Sequence, residues 1–209
     1  MAGAVIFDLD GTLIDTNRMT AQAFREFTGA HGLPMPPVNV IRDAIGLQDR
    51  FFYRAIFPDA SEEQLAGLSR DVERREGEIG MALGAKILFP GVADMLDGLR
   101  ARGVRLCLAS TGSAAHVRDM LAAAGIRDRF EMIRFDAPDK EAMTAELLRA
   151  LGGVPAVFVG DTEKDVAAAQ ANGLPVFGAG FGYVKAAERA LFDAVADTPR
   201  QLAALILEA

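Results

Sequence analysis

Short apolar runs alternate with amphipathic segments along this chain. "AVIF", "VRLCLA", "FEMIRF", "AVFVG", "LPVFGAG" and the weaker "DAVA" are each nearly continuous in hydrophobic residues and lead into helix-like stretches. Uninterrupted runs of this length predict strands buried on both faces, and their alternation with helices predicts a Rossmann-like, doubly wound parallel sheet of the α/β class. In such sheets functional groups gather beyond the carboxyl ends of the strands, where the strand order reverses.

The spacing is uneven. Roughly ninety residues separate "AVIF" from "VRLCLA", far more than one crossover helix needs, so an insert is expected. Within it "MTAQAFREF" and "RFFYRAIF" carry apolar residues at helical spacing, "GLPMPPVN" breaks the pattern as a loop, and Ser61 ahead of two glutamates marks a helix start. The expected division is a helical unit over 16–85, inserted into a core of 1–15 and 86–209. The core resumes near "LFPGVADMLDGLRARG", an amphipathic helix closed by Gly103.

Composition narrows the classes. With 209 residues the chain can bury a sizeable core, and no apolar run approaches the roughly 18 residues of a membrane span. The amino terminus lacks the basic region of a signal peptide, and the one cysteine, Cys107, lies inside a predicted strand, so a buried thiol and a cytoplasmic location are expected. A net charge of −7 argues against nucleic acid or an anionic membrane as partner. It does not exclude small anions held by local charges.

The strand ends carry the chemistry. Asp8 and Asp10 follow "AVIF"; Ser110, Thr111 and Gly112 follow "LCLA"; Asp161 and Asp165 follow "AVFVG"; Lys140 opens the helix beyond "FEMIRF". Clustered carboxylates with few other ligand types suit a hard cation such as Mg²⁺, which also offsets the repulsion between Asp8 and Asp10. Singly, each Asp reads as a turn or cap, and Ser110 and Thr111 read as an amino cap for the next helix. Their repetition on separate strands of one sheet is what favours a site.

With these residues in hand the chain resembles the haloacid dehalogenase superfamily, in particular its phosphoglycolate phosphatase-like branch. "FDLDGTLID" matches that family's first motif, "LASTG" its second and "VGDTEKDVAAAQANG" its fourth, while the helical insert matches its cap. The third motif departs: Phe135 stands where the family's lysine falls, and Lys140 is taken as its replacement, with Arg134 next in line. The resemblance implies Asp8 as nucleophile, Asp10 as general acid and then base, and Mg²⁺ on Asp8, the Asp10 carbonyl and Asp161, with Asp165 nearby. Ser110, Thr111 and Lys140 are then expected to bind the phosphate of a small phosphorylated metabolite, in a monomer or homodimer.

Lys140 also has a reading of its own. A helix starting near Pro138 puts Met143, Leu147 and Leu151 on one stripe at about 100° per residue, with Lys140 on that stripe beside the strand ends. Two other readings compete: a phosphomutase of the β-phosphoglucomutase type, and a non-catalytic Mg²⁺-binding receiver-like domain. A true dehalogenase is disfavoured because displacing halide needs no acid at Asp10. "GAGFG" lacks the spacing of a dinucleotide fingerprint. His31 and His116 are expected in a loop and on a polar helix face, without a role. Arg42, Arg50 and Arg54 of the insert are the candidates to meet an anionic substrate group.

Overall fold

The computed structural model describes residues 2–47, 49–135, 137 and 139–209, without the side chains of Asp49 and Arg50. Six parallel strands form one sheet: β1 (Ala4–Phe7), β2 (Arg105–Ala109), β3 (Met132–Arg134), β4 (Ala156–Gly160), β5 (Val176–Ala179) and β6 (Ala194–Ala196), in the order β3-β2-β1-β4-β5-β6. The order reverses beside β1, whose successor β2 lies on one flank and β4 on the other. A crevice opens there at the carboxyl ends.

Side chains alternate across the sheet with period two. Val5, Phe7, Leu106, Leu108, Val157 and Val159 belong to one buried cluster, and Ala4, Ile6, Cys107, Ala109, Ala156 and Phe158 to another. The runs are continuous in hydrophobicity because both faces are covered. Burial pushes the Cys107 thiol up to about 11, which suits an inert core residue.

Helices α1 (Thr16–Phe27), α2 (Val38–Ala44), α3 (Asp49–Ile56) and α4 (Glu62–Leu83) follow β1. They gather a cluster of their own around Phe24, whose ring lies 5.9 Å from Tyr53 and 6.0 Å from both Phe52 and Phe57. Ser61 caps α4 as the sequence predicts, in a reciprocal box with Gln64. The "GLPMPPVN" break ends sooner than expected, since α2 already begins at Val38.

The segments that leave and re-enter the sheet run side by side. Ile14 bridges Leu88, the Asp15 N–H donates to the Ile87 carbonyl at 2.8 Å, and the Phe89 N–H donates to the Leu13 carbonyl at 3.0 Å. Helices α5 (Val92–Arg100), α6 (Ala114–Ala124), α7 (Lys140–Leu151), α8 (Glu163–Ala171) and α9 (Pro199–Glu208) surround the sheet. α4 lies against α6, where a Cβ on Gly80 would come within 2.9 Å of the Met120 methyl. That methyl ends a flexible side chain and can shift, so the contact records close packing of the two helices.

Candidate active site

The register of β1 levels the strand ends. Phe7 pairs with Leu108 on one side and Val159 on the other, so Asp8, Ser110 and Asp161 leave the sheet at one edge. Asp8 is 5% exposed, Lys140 7%, Asp161 1% and Asp165 0%. Four ionisable groups are thus buried together.

One amine ties them. Lys140 Nζ donates to Asp8 Oδ1 and to Asp165 Oδ1, each at 2.7 Å. Met143, Leu147 and Leu151 pack on the sheet as the stripe requires, which holds Lys140 inward at the first residue of α7. Pro138, the expected helix start, lies outside the described residues; the helix begins at Lys140, and the Asp139 carboxylate caps it through the Glu141 and Ala142 N–H groups.

Asp165 has a second task. Its Oδ2 accepts from the Asp161 N–H at 3.1 Å, the Thr162 N–H at 3.0 Å and the Thr162 hydroxyl at 2.8 Å, so it builds the loop that presents Asp161. Gly160 leaves it room, for a side chain there would occupy the space of the Asp165 carboxylate. Thr12 donates to Asp161 Oδ1 at 2.7 Å, with Asp8 Oδ2 at 3.4 Å. Gly11 takes φ +79° under the Tyr183 ring, where a Cβ would lie 2.5 Å from Tyr183 Cδ2 and 2.6 Å from Asp161 Oδ2.

Carboxylate oxygens of Asp8, Asp161 and Asp165 lie within 4.8 Å of one another. Burial, opposed by Lys140 and reinforced by Asp165 and Asp10, pushes Asp8 up to about 7. Burial, with Asp8 and Asp165, also holds Asp161 well above the usual carboxylate range. Lys140 is raised despite its burial, because Asp165 and Asp8 favour its cation. A single amine leaves this cluster short of positive charge, and an all-oxygen donor set fits a hard divalent cation such as Mg²⁺.

Asp10 turns the other way. Its Oδ1 accepts from the Thr16 hydroxyl at 2.5 Å and meets His116 Nε2 at 2.7 Å. Burial alone would raise Asp10, but His116 and Thr16 outweigh it and hold its carboxyl below the usual range. His116 therefore corrects the expectation of a residue without a role: it lies at the inner edge of α6, one turn before Met120, and its Nδ1 is 3.7 Å from Glu76 Oε2. Burial opposes the imidazolium, yet Asp10, then Glu76 and Glu73, push His116 up to about 9.

Glu76 and Glu73 also escaped the sequence reading. Glu76 stands in the apolar stripe Leu65, Leu68, Val72, Ile79 of α4, and a carboxylate on such a stripe is the signal that could have found it. It accepts from the Thr20 hydroxyl, and Glu73 accepts from the Ser113 hydroxyl. Ser113, not Ser110 or Thr111, caps α6. A cavity of about 100 Å³ opens over Asp8 and Asp10, between Ser110–Ser113 and His116 on one side and Phe52, Tyr53, Glu73 and Glu76 on the other.

The remaining candidates fall as follows. Ser110 accepts from the Gly112 N–H at 3.1 Å, and the Thr111 hydroxyl reaches the Gly46 carbonyl at 3.4 Å, so both face the cavity from the core side. Arg134 pairs with Glu146. The arginine candidates do not converge: Arg42 pairs with its neighbour Asp43, Arg54 binds the Pro58 and Ala60 carbonyls and Glu62, and the Arg50 side chain lies outside the described residues. His31 pairs with Asp71 on α4. Tyr183, after the "GAGFG" turn, donates to Asp15 Oδ1 at 2.6 Å and accepts from the Asn17 N–H at 2.7 Å, fastening that turn to the start of α1.

Residues 2–173 match the profile of the haloacid dehalogenase-like hydrolases. The chain belongs to this family. It is 33% identical over 190 residues to the tyrosine-protein kinase PtkA of Mycobacterium tuberculosis, a match covering 87% of this chain and 63% of that relative. It is 32% identical over 186 residues to the phosphoglycolate phosphatase of Synechococcus elongatus, covering 86% and 84% respectively. A crystal structure of a CbbY mutant from Rhodobacter sphaeroides in complex with xylulose-(1,5)bisphosphate superposes with a TM-score of 0.81 at 26% identity, over 97% of this chain and 96% of that one.

The resemblance seen in the motifs is thereby shown, and the doubly wound sheet is the family's fold. Among the described residues no helix is long and apolar enough to cross a membrane.

Proposed function

We propose that this protein is a Mg²⁺-dependent, cytoplasmic phosphatase that hydrolyses a small phosphorylated metabolite through an aspartyl phosphate on Asp8. The observation that carries the reading is the buried set Asp8, Asp161 and Asp165 with Lys140 bonded to Asp8 at 2.7 Å. The expected division into a core of 1–15 and 86–209 and a cap of 16–85 belongs to the same proposal, supported by the separate cluster around Phe24 and the Ile14 to Leu88 bridge.

Asp8, the Asp10 carbonyl and Asp161 would hold the metal, with Asp165 orienting the loop beneath. Bound there, Mg²⁺ supplies charge neutralisation for the phosphate and restores Asp8 to its ionised form. Lys140 fixes the Asp8 carboxylate through Oδ1, and the Asp8 oxygen that the metal leaves free attacks the substrate. That oxygen forms the new bond to phosphorus as the ester oxygen leaves. Lys140 and the Ser110 and Thr111 segment bind the transferred group.

Asp10 gives the leaving oxygen its proton and then takes one from the water that opens the aspartyl phosphate. In the free protein His116 disfavours the protonated form of Asp10. A phosphate dianion entering beside it pushes the other way. Thr16 and His116 meanwhile fix the direction of the carboxyl group.

Turnover of p-nitrophenyl phosphate with and without Mg²⁺ tests the reading. We expect multiple turnovers, abolished by chelator, and a higher Mg²⁺ requirement in Asp161→Ala. At most one equivalent of product would instead fit the receiver-like alternative, and rates indifferent to Mg²⁺ would overturn the metal assignment.

A further inference from the structure

The cavity above Asp8 and Asp10 has an acidic wall. Glu73 and Glu76 of α4 line it, together with the hydroxyls of Thr16, Thr20 and Ser113. Among its described lining residues there is no lysine or arginine, and its one histidine is taken by Asp10 at 2.7 Å. Arg42 and Arg54 are occupied outside it. A carboxylate offers about four acceptor positions, so Glu73 and Glu76 keep acceptor capacity beyond the partners they have.

We propose that Glu73 and Glu76 select the substrate class: a phosphate monoester whose alcohol portion presents hydrogen-bond donors, hydroxyl or ammonium, and carries no carboxylate. This rests on the phosphatase reading and deepens it. A donor group entering the cavity meets ready acceptors. A substrate carboxylate would meet two protein carboxylates, lose its water and find no lysine or arginine among the described lining residues, which is discrimination by repulsion. The cavity already resists negative charge: burial, with Asp10 and Glu73, pushes Glu76 up to about 7 against the help of His116 and Thr20.

Glycerol 3-phosphate and 3-phosphoglycerate have the same carbon skeleton and differ in a terminal hydroxymethyl against a carboxylate. Their kcat/KM ratio in the Mg²⁺-loaded protein is the test, with p-nitrophenyl phosphate as baseline and phosphoethanolamine as the ammonium arm. Glycerol 3-phosphate should exceed 3-phosphoglycerate by ~10²-fold or more, and Glu73→Gln and Glu76→Gln should each narrow that ratio about tenfold. Because the ratio is read within each variant, a general loss of activity does not mimic the effect. Phosphoethanolamine above glycerol 3-phosphate would assign the donor as ammonium, and the reverse order as hydroxyl.

A ratio near unity or inverted, with p-nitrophenyl phosphate turned over normally, overturns this proposal alone. A ratio unmoved in both variants removes the two glutamates from it. No turnover of p-nitrophenyl phosphate overturns the phosphatase reading and this inference with it.

Discussion

The two aspartates of "FDLDG" sit in different kinds of site. Asp8 joins Lys140, Asp165 and Asp161, a set built from the residues just past β1 and β4, the first residue of α7 and the first turn of α8. Asp10, two positions on, joins Thr16, His116 and, through the imidazole, Glu76, groups drawn from the insert and α6. The first set is positioned by strand register, and the second by how α4 docks on α6. The same sheet edge thus carries a buried carboxylate cluster around one amine beside a polar network that depends on the insert.

Breaking the first set should cost most. Asp8→Asn keeps shape and removes the proposed nucleophile, so steady-state phosphatase activity should fall by more than about 10²-fold with an unchanged circular dichroism spectrum. A variant retaining more than about a hundredth of the wild-type rate would remove Asp8 from that role.

Lys140→Ala should lower kcat/KM by about 10²-fold or more. It should also lower stability by about 3–5 kcal/mol in denaturant titration, since Asp8 and Asp165 are left buried without their cation. If the variant is as stable as the parent, the buried pair is not what holds α7 to the sheet edge.

The second set is better probed by pH. His116 is raised to about 9 when folded, from an ordinary value of 6.5, so its contribution to stability is complete below about pH 6.5 and is lost as pH rises through about 9. Unfolding free energy should fall across that window by on the order of 3 kcal/mol at most, read as a falling thermal midpoint, and His116→Gln should flatten the slope. Parallel slopes in the two proteins would mean that His116 does not carry its proton in the folded state.

The smallest effect is expected outside both sets. Arg54 faces the Pro58 and Ala60 carbonyls and Glu62 rather than the cavity. Arg54→Ala should change kcat and KM by less than about twofold and stability by at most about 1 kcal/mol, in line with a partly exposed ion pair. A KM shift confined to anionic substrates would return Arg54 to the site.

The sheet, its parallel order, and the strand-end residues Asp8, Ser110, Asp161 and Lys140 were legible in the sequence. A doubly covered strand must be apolar throughout, so the first polar residue after it marks where the sheet stops. Helical spacing placed Lys140 on the buried stripe of α7 in the same way. These are local regularities, and one chain displays them.

His116, Glu76 and Glu73 were decided by the tertiary structure. Each lies on a helix whose own pattern leaves a polar residue at the edge of its apolar stripe or within it, and such a residue reads equally as surface or as defect until a neighbour is known. Only the docking of α4 on α6 brings the glutamates over Asp10 and gives His116 its partners. The insert's arginines show the converse. The charge of Arg42 and Arg54 was visible, but only the folded turns show that near neighbours claim it, Asp43 for Arg42 and the Pro58 and Ala60 carbonyls with Glu62 for Arg54, because spacing along the chain does not say whether a side chain turns to its own loop or to the cavity.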